Sequence, residues 1–348
     1  MGNSRDSAHF DDEVQHMTTF IWLSFVFVFG TAGNLLLFAA ILRKRRITNV
    51  TNLLNLNLAV GDLIRIFVFI PVYLAHFEYH EFPPGLGLTG CKVVFMIVQS
   101  SLTVSIVTLM FMSMERYQAV VKPLRKQMTI RLARYLVIVS WIIGLFTSFW
   151  FALSLNLVTD KHDLVHCTSQ SDKSWKTNAL LLVIPATQWL PGVVFMATYM
   201  KIILRLRRNG VVKPCDVTLS SQNRHRRNKR AVRILVIEVV LFLGCLCPFY
   251  QHSLAMTFGD VSSTGPLTVE GMLIFCLMMT YSLINPFCHI VFNAEFRREI
   301  FKMVSQIKVF CRLETNRVSE CPHCHLPGTH LYHTEMQTNR EITNAVPK

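Results

Sequence analysis

Seven apolar stretches, each long enough to cross a bilayer, occupy most of this 348-residue chain. A hydrocarbon core needs about 20 apolar residues per helical span. That length recurs at Thr18–Leu42, Leu53–Phe77, Lys92–Met114, Ala133–Leu155, Leu180–Leu204, Ala231–Met256 and Met272–Phe292. The sequence therefore predicts an all-α membrane protein, a bundle of seven transmembrane helices. Composition agrees: 16% of residues are charged, against about 25% in ordinary soluble domains. Twenty-five phenylalanines suit lipid-facing and interhelical surfaces better than one soluble core.

The net charge of +14 would suit a nucleic-acid partner, but the placement of the charges argues otherwise. Basic residues follow span one (Arg43-Lys44-Arg45-Arg46), follow span three (Lys122, Arg125, Lys126, Arg131, Arg134) and crowd the connection between spans five and six, including Arg224–Arg230. The opposite loops are acidic, with Asp11, Asp12, Glu13, Glu78, Glu81, Asp260 and Glu270. By the positive-inside rule the basic connections face the cytoplasm and the N-terminus lies outside. The basic run is then a topology determinant and partner surface, and no nucleic acid is expected. Residues 1–17 show no charged-apolar-cleavage pattern, so span one itself is expected to direct insertion. Asp6 stands where a myristoylation signal wants Ser or Thr. The predicted division is a short extracellular segment over 1–17, the bundle over 18–292, an amphipathic membrane-surface helix over 293–310 and a disordered cytoplasmic tail over 311–348.

Motifs at consistent positions identify a family. Gly33-Asn34 lies in span one and Leu58-Ala59-Val60-Gly61-Asp62 in span two. Span three opens at Cys91 and closes at Glu115-Arg116-Tyr117, about 37 Å along a helix. Trp141 falls in span four, Pro191 and Tyr199 in span five, Phe242 and Pro248 in span six, and Asn285-Pro286 in span seven. Over residues 18–302 the chain resembles the rhodopsin-like (class A) G-protein-coupled receptors. The resemblance implies a disulfide from Cys91 to Cys167 at the oxidising face. It implies that Arg116, paired with Glu115, is released on activation to meet a heterotrimeric G protein, with Tyr199 assisting. Ile106, Pro191 and Phe242 match the family's packing switch. The acidic residue that the family places at the base of span six falls on Asn228.

Departures from the pattern are equally informative. Leu246 replaces the tryptophan usual two residues before Pro248, and His289 replaces the tyrosine usual after Asn285-Pro286. Two charges lie inside spans, Arg65 and Glu238, where an ionisable side chain normally finds a partner. Arg65 is three residues from Asp62 and shares its helix face. In many relatives the residue matching Asp62 helps bind sodium with a polar residue on span three, here Ser105. Either the Arg65 guanidinium stands in for that ion, or it points into an aqueous ligand cavity. Glu238 either pairs with His289 across two helices or reaches cytoplasmic water or Arg233.

Val98 stands where amine receptors carry an aspartate, and span seven lacks the lysine that binds retinal. The expected pocket comprises Gln99, Leu102, Phe249, Tyr250, Ser253, Phe275 and Met279, beneath an acidic rim that favours cationic ligands. A basic peptide is the expected ligand. Cys311 is a candidate lipidation site anchoring the tail to membrane lipids, and Ser319 and Thr334 are candidate phosphate acceptors for arrestin recruitment. Cys321-Pro322-His323-Cys324-His325 has zinc-like spacing but no folded scaffold, so no metal or cofactor is expected. The function implied is a plasma-membrane receptor, not an enzyme. A non-signalling decoy or scaffold is the alternative, because Leu246 and His289 alter the transmission machinery.

Overall fold

The computed structural model describes residues 3–43, 49–79, 82–159, 163, 165–169, 189–205, 232–234, 236–241, 243–249, 251–252, 269–292, 296–303 and 305–306. The helices are α1 (Asn3–Arg43), α2 (Val50–Tyr79), α3 (Gly87–Val121), α4 (Ile130–Leu153), α5 (189–205), α6 (Val232–Phe249) and α7 (Val269–Phe292). Six of them contain segments long and apolar enough to span a membrane; α5 is described over only part of its expected span. The chain to Arg297 forms one unit and the remainder a second. The expected surface helix over 293–310 is helical at 296–303 and 305–306, and its other residues lie outside the described set.

Two helices run furthest past the predicted spans. No glycine or proline interrupts residues 3–29, and α1 continues outward through the polar segment predicted to precede the first span. At its other end α3 passes Glu115-Arg116-Tyr117 and stops at Val121. Pro123 disfavours helical backbone at Lys122, which adopts φ −124°, ψ 58°. The Glu115-Arg116-Tyr117 motif therefore sits on continuous helix, not at a helix end. The all-α expectation also needs an addition: β1 (Leu155–Thr159) and β2 (Val165–Ser169) form an antiparallel hairpin, with Leu157 opposite Cys167.

The long α3 forms the interior of the bundle. Seventeen of its residues are buried, twelve of them in an unbroken run from Val98 to Leu109. By contrast α4 buries only a narrow ladder, including Ser140, Gly144, Ser148 and Ala152. These small side chains at four-residue spacing allow close backbone approach, the usual means of packing helices in lipid. A Cβ at Gly144 would lie 2.9 Å from the Ser100 carbonyl oxygen on α3. Gly144→Ala is accordingly expected to destabilise the bundle by about 1–3 kcal/mol, read as a lower thermal-inactivation midpoint after solubilisation. An unchanged midpoint would show that α3 and α4 separate freely.

Asn57 on α2 ties three helices together. Its amide donates to Thr108 Oγ1 at 2.7 Å and, more distantly, to Ser140 Oγ at 3.5 Å. Its carbonyl accepts from Trp141 Nε1 at 2.9 Å. Trp141 is thus a hydrogen-bond donor to α2 as well as a packing residue.

Candidate functional site

Three groups of polar residues penetrate the apolar bundle. The deepest is centred on Asp62 and Arg65, both fully buried. Their three-residue separation on α2 brings the guanidinium onto the carboxylate, and the two form an ion pair. Arg65 also donates from Nε to Ser282 Oγ on α7 at 2.9 Å, and its guanidinium lies 5.7 Å from the Tyr281 ring centre. Asn285 approaches the other carboxylate oxygen of Asp62 at 3.5 Å. Ser105 faces a different partner, donating to the Ser101 carbonyl of its own helix at 3.0 Å. Arg65 thus makes a clamp from α2 to α7; Tyr281 falls at the site that the sequence gives it, and the Ser282 contact is not foreseen from sequence.

The second group lies between α6 and α7. Glu238 and His289 are both buried, with Oε1 and Nε2 3.5 Å apart. The carboxylate does not reach solvent. Phe296 meets the His289 ring at 6.1 Å and 64°. Around these groups, Leu246 is buried in the apolar core in the place expected for tryptophan, and Ile106 belongs to the same core. Pro191 and Pro248 are half-buried helical residues. Phe242 lies outside the described residues, as does Asn228, so the three-residue packing switch is not assembled among the described residues.

The third group is at the end of the bundle where α3 closes. Arg116 pairs with Glu115 at 2.6 Å and donates to Thr51 Oγ1 on α2. Both charged side chains keep some exposure, 13% and 16%. Tyr199 donates to the Val232 carbonyl at 2.7 Å, joining α5 to α6 through a backbone acceptor. Tyr117 is in cation–π contact with Lys122 at 5.3 Å. Thr51 was not anticipated as a partner, although a hydroxyl one helix away from a partly buried arginine is a natural acceptor.

At the opposite end of α3, Cys91 is disulfide-bonded to Cys167, with Cα atoms 5.9 Å apart. The bond joins α3 to the β1–β2 hairpin, and Phe82 N–H donates to the Val165 carbonyl at 2.7 Å. Below the hairpin the expected pocket residues Gln99, Leu102, Phe275 and Met279 are buried, and Phe249 is half-buried. Tyr250 and Ser253 lie outside the described residues. Phe275 stacks on Tyr73 at 3.8 Å and contacts Phe69 at 5.2 Å. This aromatic cluster joins α2 to α7 and adds two residues, Phe69 and Tyr73, to the expected set.

A disulfide-capped, aromatic end and an arginine-bearing end, joined by a polar interior, suit transmission across a membrane better than catalysis. Residues 33–289 match the profile of the 7 transmembrane receptor (rhodopsin family). Somatostatin receptor type 2 of Mus musculus is 25% identical over 319 residues, covering 88% of this chain and 82% of the relative. The tachykinin-like peptides receptor 99D of Drosophila melanogaster is 25% identical over 84% of this chain and 57% of its own length. Growth hormone secretagogue receptor type 1 of Sus scrofa is 26% identical over 80% and 78% respectively. With most of the bundle inside the family profile, the chain belongs to the rhodopsin family of seven-transmembrane receptors.

Proposed function

We propose that this receptor binds an extracellular peptide of basic character at its disulfide-bearing end and activates a heterotrimeric G protein at the end carrying Arg116. The observation that carries the reading is Arg116 itself, held by Glu115 and Thr51 at the end of a rhodopsin-family bundle. Peptide binding is supported by a relative named for tachykinin-like peptides and by the acidic loops of the sequence. The distribution of Lys and Arg supports a non-cytoplasmic N-terminus, and an extracellular ligand would place the receptor in the plasma membrane. Arrestin recruitment and lipidation at Cys311 concern a tail outside the described residues, and rest on its Ser, Thr and Cys residues alone.

Within the bundle, the Arg65 guanidinium takes the position of a cation beside Asp62, while Ser105 is engaged on its own helix. Displacement of α6 from α7, with Glu238 and His289 at their contact, is the motion that links the two ends. The test is G-protein activation in cells, with and without candidate basic peptides, comparing wild type with Arg116→Ala at matched surface expression. A fall of about 5-fold or more is expected in the variant, within the usual range of allosteric coupling. An undiminished signal would remove Arg116 from coupling. A wild type silent to every peptide that it binds would favour the decoy role.

A further inference from the structure

Glu238 on α6 is 1% exposed and His289 on α7 5%. Their closest polar atoms are 3.5 Å apart. Among the described residues, neither carboxylate oxygen of Glu238 nor His289 Nε2 makes a well-formed hydrogen bond. Most buried polar groups do have such a partner. Nearby, Asp62 is paired with Arg65, whose Nε donates to Ser282; Arg65 Nη1 has no hydrogen-bond partner among the described residues. Among the described residues, the other titratable groups in electrostatic contact with Glu238 are Asp62, Tyr281 and Cys288, and none of them is a cation. Phe296 borders the imidazole with an apolar ring. A carboxylate–imidazolium pair here would lack supporting hydrogen bonds, and the cost of desolvating two ions then exceeds their attraction.

We propose that Glu238 and His289 form a buried proton-binding site between α6 and α7, holding one proton on the Glu238 carboxyl while the two helices are packed. The neutral acid faces the neutral imidazole, so the site carries no net charge in the apolar core. The consequence for signalling, unlike the site itself, rests on the activation reading above. When α6 moves away from α7, water reaches both groups. A hydrated carboxyl ionises near pH 4.3 and a hydrated imidazole near pH 6.5. At neutral pH, opening therefore releases about one proton to solvent. The packed form binds more protons, so raising the pH favours the open form. Below about pH 6.5 the exposed imidazole holds a proton of its own, and the dependence fades.

Infrared spectroscopy of the purified full chain in lipid nanodiscs tests the site. At pH 7.5 the wild type should show a protonated-carboxyl stretch that is missing from Glu238→Gln. Glu238→Leu serves as a second reference should the glutamine variant fail to accumulate. Identical carboxyl spectra in wild type and variant would overturn the site, whether or not the receptor couples to a G protein. The linkage is read from ligand-free nucleotide exchange on purified G protein between pH 6.5 and 8.5, as the ratio of wild type to Glu238→Gln. The ratio should rise by up to about tenfold per pH unit, the limit for one proton. A flat ratio beside a clear infrared band would overturn the linkage and keep the site. A receptor inactive at every pH would count against the coupling reading, and the infrared comparison would still decide the site.

Discussion

Arg65→Leu is expected to destabilise the receptor by about 3–5 kcal/mol, the usual consequence of removing one partner from a buried ion pair. Asp62 is fully buried, and without Arg65 its carboxylate keeps, among the described residues, Ser282 and the long 3.5 Å approach of Asn285. The same substitution deletes the hydrogen bond to Ser282 and the contact with Tyr281, two of the contacts that tie α7 to α2 at this depth. The double variant Arg65→Leu/Asp62→Leu should recover most of the loss, because apolar pairs often replace buried ion pairs with little penalty. Surface yield and the thermal-inactivation midpoint report both values. A single variant as stable as the double would mean that the pair contributes nothing beyond packing.

The second large effect concerns the disulfide. Cys91 and Cys167 are 76 residues apart. Closing a loop of that length restricts the unfolded chain by up to about 4.5 kcal/mol in the chain-entropy account. Helices already confined to a bilayer have less freedom to lose, so that figure is an upper bound for Cys91→Ala/Cys167→Ala. The local effect should be sharper than the global one. The hairpin is joined to α3 through this bond, with the Phe82–Val165 hydrogen bond beside it. Peptide binding is expected to fall more than the midpoint for thermal inactivation. The reverse order, a collapsed midpoint with binding intact in the surviving fraction, would place the bond's role in the bundle instead of the hairpin.

Hydropathy located the described spans but not their ends, for a physical reason. It measures the depth of hydrocarbon, whereas a helix stops where its backbone can no longer continue. For α3 the last helical residue is Val121, two before Pro123 and seven after the predicted end. The hairpin is not legible in the sequence because the apolar run of span four continues through Leu155 into β1, and five-residue strands carry little periodic signal. Asp62 and Arg65 were legible as a pair because three residues fix their separation on one helix. The contacts of Asn57 and Thr51 were not, because each partner lies on another helix and a register between helices is set only by packing. The small-residue ladder of α4 was open to reading, since Ser140, Gly144, Ser148 and Ala152 recur every four residues.

The seam between α1 and α7 sets an order of events in making the protein. Asn34 donates to Gly30 of its own helix and to the Ser282 carbonyl, 248 positions later in the chain, both at 2.9 Å. A Cβ at Gly33 would lie 2.9 Å from Pro286, and Trp22 Nε1 donates to Thr280 at 3.1 Å. The seam of α1 is thus completed by a helix made much later in the chain. Until α7 is inserted, the Asn34 amide and the Gly33 backbone on α1 lack their α7 neighbours. During that interval they are open to lipid or to helices of other chains. A chain truncated before Val269 would remain in that state permanently, as a ring with its final member missing and a natural substrate for membrane quality control.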